Sequence, residues 1–248
     1  MKRDTFFKLN NILNSVKDIE VASRRFKVPE DVLYSIYSQK IVRNTKKDFY
    51  VVQRQAHSML REWKRGKSLL EIAECRKFSP VLTASFILKS DGMTKKQFKD
   101  MMHNCDDIRK PRLKKEMKEV IDADIIYSPR GIENQKNRGF FCEDQIQTWL
   151  DGKGIGYYTE EESRALEREK TPDFLLRDDV TYGGMEVKWF ESKGSFGSPY
   201  QTRHDYDNQL SHYVKLFGPG IVSYWLGYVD DITMGEEIVM IDRSFFKD

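Results

Sequence analysis

At Gly139 the apolar periodicity of this chain changes, and that change limits the folds open to it. Before it, apolar residues recur every three or four positions, as in Ile19, Ala22, Phe26, Val32, Ile36 and in Leu69, Ile72, Ala73, Leu82, Phe86. That is the spacing of helices that each bury one face. After it comes one helical stretch, FFCEDQIQTWLDGKG, and then short runs bounded by turn formers. IGYYTEEE, TPDFLLR, MEVKWFESK, IVSYWLGYV and EEIVMIDR read as strands, and DYDNQLSHYVKLF reads as a helix halted by Gly218-Pro219-Gly220. The order helix–strand–strand–strand–helix–strand predicts a mixed α/β sheet with flanking helices. YSPRGIENQKNRG, with three breakers, reads as loop, SRALEREK as a polar connection, and DDVTYGG as the turn between two strands. The expected organisation is a helical region over residues 1–110 and an α/β domain over 111–248, joined by a linker-like stretch around Pro111.

Charge divides along the same line. Residues 1–110 hold 24 Lys and Arg against 13 Asp and Glu, a net +11, whereas residues 111–248 hold 18 against 26, a net −8. Basic charge suits a polyanion such as nucleic acid. A solvated helical surface accounts equally well for the charge taken alone.

The helical region repeats itself. VASRRFKVPEDVLYSIYSQ and IAECRKFSPVLTASFILKS align at an offset of 51, which sets Ala22 over Ala73, Pro29 over Pro80 and Ile36 over Ile87. In each unit a helix is followed by a turn and then by proline where a second helix starts, a position that tolerates the missing N–H. Ser79 before Pro80 is the expected N-cap. The layout is that of a helix-turn-helix, seen at about residues 11–43 and 58–90. In the second unit the second helix would offer Val81, Thr83, Ser85 and Lys89 on its several faces. Contact with DNA by one unit is the functional expectation; plain packing modules are the alternative.

Several chemistries find no support. The three cysteines, Cys75, Cys105 and Cys142, are isolated, so neither a disulfide framework nor a structural zinc is expected. No apolar run approaches the ~18–20 residues of a membrane helix, and the first 20 residues are too polar for a secretory signal. The expectation is an intracellular protein with no membrane partner, cytoplasmic in a prokaryote and nuclear or cytoplasmic in a eukaryote. No glycine-rich loop ends in Lys-Ser/Thr, and no G-x-S-x-G elbow is present.

The informative segment is TPDFLLRDDVTYGGMEVKWFESKGSFG. Strand alternation puts Val187, Trp189, Glu191 and Lys193 on one face, and Glu186 and Lys188 on the other. A hairpin centred on Tyr182 would bring Asp173 level with Glu191. Two carboxylates without thiols or imidazoles suit a hard cation such as Mg²⁺ or Mn²⁺. A lysine two residues on can orient an attacking water and stabilise negative charge on a phosphate. P-D-x(17)-E-x-K is a loose pattern, and a surface hairpin with an exposed Glu/Lys pair is its alternative. Glu143 adds weight, because it lies on a stripe with Phe140, Ile146 and Leu150, where a carboxylate needs a partner. Gln209 and Tyr213, four apart on the later helix, share a face. GSFGSP after Lys193 supplies a glycine-containing loop at the strand end. His204 and Asp205 lie near this segment without an assigned role.

Together, Glu143, Pro172-Asp173, Glu191-Ser192-Lys193 and Gln209-x-x-x-Tyr213 resemble the PD-(D/E)xK nuclease superfamily, in its variant with a downstream Q-x-x-x-Y helix. Thr171-Pro172-Asp173-Phe174, WFESKGSFG and LFGPGIVSYWLGYV resemble more closely the TPD-motif family of codanin-interacting nucleases, most clearly from about Asp124 to Val229. The resemblance implies a restriction-endonuclease-like sheet and Mg²⁺- or Mn²⁺-dependent cleavage of DNA. Asp173 and Glu191 would be metal ligands, with the Ser192 backbone carbonyl a third and Glu143 near the ion. Lys193 would position the attacking water, and Gln209 and Tyr213 would orient the lysine or the scissile phosphate. Implied partners are duplex or branched DNA and, in a eukaryotic source, a codanin-like scaffold; cutting two strands would favour a homodimer. The rival expectation is a nuclease fold that binds nucleic acid or a scaffold without cutting.

Overall fold

Serine followed by proline starts three of the helices, at Ser79, Ser128 and Ser198, and each start is capped from the chain itself. In the computed structural model, which describes residues 1–247, Ser79 Oγ accepts the Leu82 N–H at 3.1 Å with Pro80 in the first helical position. Ser128 Oγ accepts the Gly131 N–H at 3.1 Å with Pro129 placed likewise. The helices run in order α1 (Arg3–Ile12), α2 (Lys17–Phe26), α3 (Glu30–Arg54), α4 (Ala56–Lys64), α5 (Leu69–Cys75), α6 (Pro80–Ser90), α7 (Lys95–His103), α8 (Pro111–Ala123) and α9 (Pro129–Gly152). The two helix-turn-helix-like units are α2–α3 and α5–α6. Their turns pass through left-handed residues, Lys27 (φ 54°) and Lys77 (φ 50°).

The α6 start has a second cap. Asp124, from the α8–α9 connection and only 4% exposed, bonds the Ser79 hydroxyl and accepts the Val81 N–H at 3.2 Å. Ser79→Ala is expected to cost about 1–2 kcal/mol, read as a shift in urea midpoint at constant m-value. A loss below about 0.5 kcal/mol would mean that Asp124 caps the helix alone.

Burial corrects the expectation for α6. Val81, Thr83 and Ser85 are all buried, and of the four residues named only Lys89 is exposed. With α4, α5, α7 and α8 packed around it, α6 is the central core helix of its unit and has no free face to offer a groove. The stretch YSPRGIENQKNRG, expected as loop, is the first half of α9. Gly131 does not break the helix. It admits the Ile125 carbonyl oxygen, which a Cβ there would meet at 2.5 Å.

The chain divides into two compact units, Met1–Tyr37 with Asn137–Asp248, and Ser38–Lys136; the divisions fall inside α3 and α9. The boundary expected at residue 110 is thereby redrawn. The reason is packing: Phe6, Leu9, Leu13, Ile19, Ala22, Val32, Leu33 and Ile36 form one core with Phe196, Leu226 and Val229. The charge asymmetry survives the redrawing, since Ser38–Lys136 carries 23 Lys and Arg against 13 Asp and Glu, a net +10, and the other unit a net −7. Among the described residues no helix is long and apolar enough to cross a membrane.

The larger unit holds a five-stranded mixed sheet in the order β1 (Tyr157–Thr159), β2 (Phe174–Tyr182), β3 (Met185–Lys193), β4 (Gly220–Tyr224), β5 (Ile238–Ile241). The first three strands are antiparallel and the last three parallel. SRALEREK contributes to a short helix, α10 (Glu160–Ala165), in place of the expected connection. The T-x-x-E signature explains it, with Thr159 and Glu162 capping one another in a capping box. After β3 come α11 (Pro199–Asp205), a π-helical turn over Tyr206–Leu210, and α12 (Ser211–Phe217). One sheet face packs Phe174, Leu176, Phe190, Ile221 and Ile241 on Ile146 and Leu150 of α9. The other packs Leu175, Trp189, Val222 and Tyr224 on Leu210 and Tyr213.

The β2–β3 hairpin turns at Gly183-Gly184, both at positive φ, with Tyr182 opposite Met185. This is the two-residue turn that matches strand twist, and it replaces the expected centre on Tyr182. Carried unbroken, its register would set Asp173 opposite Gly194. β2 instead slips between Leu175 and Val180, so that Leu175 pairs with Trp189 and Phe174 with Phe190. The slip brings Asp173 back level with Glu191.

Candidate active site

Phe190 packs on the α9 face and Trp189 on the α12 face, so alternation sends Glu191 and Lys193 to the α12 face as expected. Val187, expected on that same face, packs instead with Phe190 on the α9 face. On the α12 face Lys193 Nζ donates to Glu191 Oε1 and to Gln209 Oε1, both at 2.7 Å. Gln209 Nε2 donates to the same Glu191 oxygen at 2.8 Å and to the Tyr213 hydroxyl at 2.7 Å. The Tyr213 hydroxyl in turn donates to the Thr171 carbonyl at 3.1 Å. Asp173 Oδ2 accepts the Ser192 N–H at 2.7 Å, and the Asp173 N–H points at Glu191 Oε2 over a long 3.4 Å. Gln209 stands in the π-helical turn, a departure from α geometry that recurs at functional sites.

The site is short of positive charge. Burial pushes the Asp173 carboxyl well above its usual range, with the Glu191 and Glu143 charges adding to it against the Ser192 N–H. Burial likewise raises Glu191, opposed by Lys193. Burial works against the Lys193 ammonium, yet the charges of Glu191, Asp205 and Asp173 outweigh it and its pKa is raised. Lys193 is therefore a firmly held cation, able to donate and to stabilise anionic oxygen, and not a free base. Burial also raises Tyr213, which serves as a neutral donor.

Five of the expected residues, Asp173, Glu191, Lys193, Gln209 and Tyr213, are thus joined in one hydrogen-bonded knot with the Ser192 N–H. Glu143 is placed differently. It is half-buried on α9, raised first by burial and then by the charges of Glu160 and Glu191, and no hydrogen bond ties it to the others. The expected stripe through Phe140 is corrected, because Phe140 is 56% exposed while Cys142, Ile146 and Leu150 are fully buried. Glu143 borders that stripe. Glu186 and Lys188 pair with each other away from the knot.

Sequence reasoning places Asp205 near the site without a role and misses Tyr224. Asp205 is buried and accepts the Tyr224 hydroxyl at 2.9 Å and Gln201 Nε2 at 2.8 Å. Tyr224, fully buried, is the strand-register partner of Lys193. Parallel pairing of two strands far apart in sequence brings them together, and no local signal carries that. His204, next to Asp205, is exposed.

The donor chemistry fits a hard divalent cation, since half-buried Asp173 and buried Glu191 are oxygen donors whose charges one lysine does not balance. Among the described residues no group of three His, Cys, Asp or Glu side chains is arranged to hold a metal ion.

The family described as "Protein of unknown function TPD sequence-motif" matches residues 109–245, more than half of the chain. The chain belongs to the TPD sequence-motif family. The match takes in the Thr171-Pro172-Asp173 segment and the whole knot. Similar curated proteins are CDAN1-interacting nuclease 1 of Mus musculus, 28% identical over 73% of this chain and 67% of the relative, and of Homo sapiens, 28% identical over 72% and 66%. That of Danio rerio is 25% identical over 85% and 75%. The matches to the mouse and human relatives thus span about two thirds of their length. No solved structure matches this TPD-family chain.

Proposed function

We propose that this chain is a nucleic-acid-binding protein of nuclease fold, whose Asp173–Glu191–Lys193 centre hydrolyses phosphodiester bonds once a divalent cation, Mg²⁺ or Mn²⁺, is bound. The observation that carries the reading is the knot itself: half-buried Asp173 level with buried Glu191, and a lysine held charged between Glu191 and Gln209. Asp173 and Glu191 would hold the ion, with the Ser192 carbonyl and Glu143 as the further donors. Such an ion supplies Lewis-acid polarisation of a phosphoryl oxygen. Lys193 aims its one remaining N–H at the attacking water or at the anionic phosphate. Gln209 fixes the lysine rotamer, and Tyr213 fixes Gln209. The net +10 of Ser38–Lys136 supplies affinity for the phosphate backbone that an acidic catalytic unit lacks. With α6 buried, the cations of its neighbours make that contact. DNA, structured or branched, is the proposed substrate, in an intracellular setting. The name of the relatives supports both the nuclease reading and, in a eukaryotic source, a codanin-like scaffold as partner. A homodimer would deliver two cuts.

A second reading, a nuclease fold that binds nucleic acid or a scaffold without cutting, is favoured by a specific observation. No three metal-ligating side chains are grouped among the described residues, and Lys193 and Gln209 already occupy Glu191 Oε1. Family membership and fold support this reading more directly, because it asks for no ion.

Thermal unfolding with metal separates the two. At a concentration 100-fold over its Kd, Mg²⁺ or Mn²⁺ is expected to stabilise the native chain by about 2.7 kcal/mol, and the effect is expected to vanish in Asp173→Asn. A panel of single strands, duplexes, flaps and four-way junctions, with each metal or EDTA, reads the cutting. Binding without cutting under every condition selects the second reading.

A further inference from the structure

Two arginines share one aromatic ring at the edge of the catalytic sheet. The guanidinium carbons of Arg168 and Arg177 lie 5.2 and 5.3 Å from the centre of the Tyr158 ring. Tyr158 stands opposite Leu175 and packs with the cluster on the α12 face. Leu176 turns to the other face, so Asp173, Leu175 and Arg177 line the same side of β2. Four residues of strand put Arg177 on the order of 13 Å from Asp173.

Neither guanidinium has a carboxylate within ion-pair distance among the described residues, although their unit is acidic. Arg3, Arg164, Arg203 and Arg243 of the same unit are each paired with one. Arg168 is half-buried and its Nε is buried with no hydrogen-bond partner. Asp178, beside Arg177 in the chain, has its Oδ2 engaged by the Gly156 N–H. Two like charges held on one ring, with Glu162 close enough to Arg177 to feel its charge but not to pair with it, and one with an orphaned buried donor, carry a repulsion and desolvation penalty that an anion would relieve. Guanidinium forks match phosphate oxygens two at a time, and stacking on a ring orients the fork in advance. The slip in β2 that levels Asp173 with Glu191 also lies at Arg177, and irregularities of this kind re-aim side chains beside active sites.

We infer that Arg168 and Arg177, held on Tyr158, form a phosphate clamp that takes the backbone of a nucleic-acid strand leading to Asp173. The inference rests on the nuclease-fold reading above and adds a substrate site to it.

The test uses the full chain carrying Asp173→Asn, in EDTA, so that binding is read without cleavage. Fluorescence anisotropy follows a labelled single-stranded oligonucleotide and its duplex across a salt series. Arg168→Gln and Arg177→Gln are each expected to weaken binding about tenfold, and to shrink the slope of log K against log salt by about 0.7 on the single strand or about 0.9 on the duplex. Tyr158→Phe, which keeps the ring, is expected to bind like the parent, and Tyr158→Ala like the arginine variants. Arg177 is exposed, so its variant carries the test should Arg168→Gln lower the melting temperature. A parent that binds, with both arginine variants binding equally and at the same slope, overturns the clamp and leaves the nuclease-fold reading standing. A parent that binds neither oligonucleotide overturns that reading and the clamp with it.

Discussion

Lys193→Ala is expected to lower metal-dependent cleavage by about 10²–10³-fold, the cost of removing one preorganised donor from a developing oxyanion. The same change removes the cation paired with Glu191, which is 3% exposed. Breaking a buried pair from one side costs about 3–5 kcal/mol, because the other charge is left behind. Activity and stability should therefore fall together in Lys193→Ala. They should separate in Lys193→Met combined with Glu191→Gln, which restores the melting temperature and not the cutting. Lys193→Arg is expected to fail as a rescue, since a planar fork cannot reproduce the point contacts to Glu191 and Gln209. Initial rates on the preferred substrate, set beside urea unfolding of the same variants, check each expectation. Cutting at the native rate by Lys193→Ala would place the hydrolytic centre elsewhere.

Gly220→Ala is expected to cost about 3 kcal/mol or more and to dismantle the site from behind. A Cβ at residue 220 would fall 2.0 Å from Trp189 Cε2 and 2.1 Å from Cδ2. Trp189 cannot step aside cheaply. It is fully buried, donates from Nε1 to the Gly218 carbonyl at 2.9 Å, and meets Tyr213 edge-on with centroids 5.4 Å apart. Displacing it would move Glu191, two residues on along β3, and Tyr213, which holds Gln209. Urea denaturation measures the loss, and Trp189→Leu in the Gly220→Ala background should recover part of it. A loss under about 1 kcal/mol would contradict the close approach of β4 to the indole ring.

Both expectations rest on residues whose roles were legible to different degrees. The alternation through Trp189, Glu191 and Lys193, and the four-residue step from Gln209 to Tyr213, depend only on the periods of strand and helix. The Ser79-Pro80 start could be read because a cap is made within three residues of itself. The Ser128-Pro129 start carries the same signal, but Gly131 and Gly139 read as breakers. In the fold, Gly131 serves a close approach to Ile125. The helix-turn-helix repeat was legible as a pattern, whereas its use was not. Pattern alone could not tell that Val81, Thr83 and Ser85 would be enclosed by four other helices.

By itself the sequence determined most of the helices and strands of the chain, the face on which Glu191 and Lys193 fall, and its membership of the TPD family. These follow from interactions among near neighbours along the chain, where spacing and residue type suffice. Tertiary structure alone decided the rest. It slipped β2 against β3 so that Asp173 meets Glu191 and not Gly194. It brought Tyr224 to Lys193 through parallel pairing and Asp205 onto the Tyr224 hydroxyl, gathered α1 and α2 onto Phe196 and Leu226, and set two arginines on one tyrosine. Each of these depends on which distant apolar surfaces close on one another, and that choice is made by packing over the whole unit, where one residue of slip moves a side chain to the opposite face.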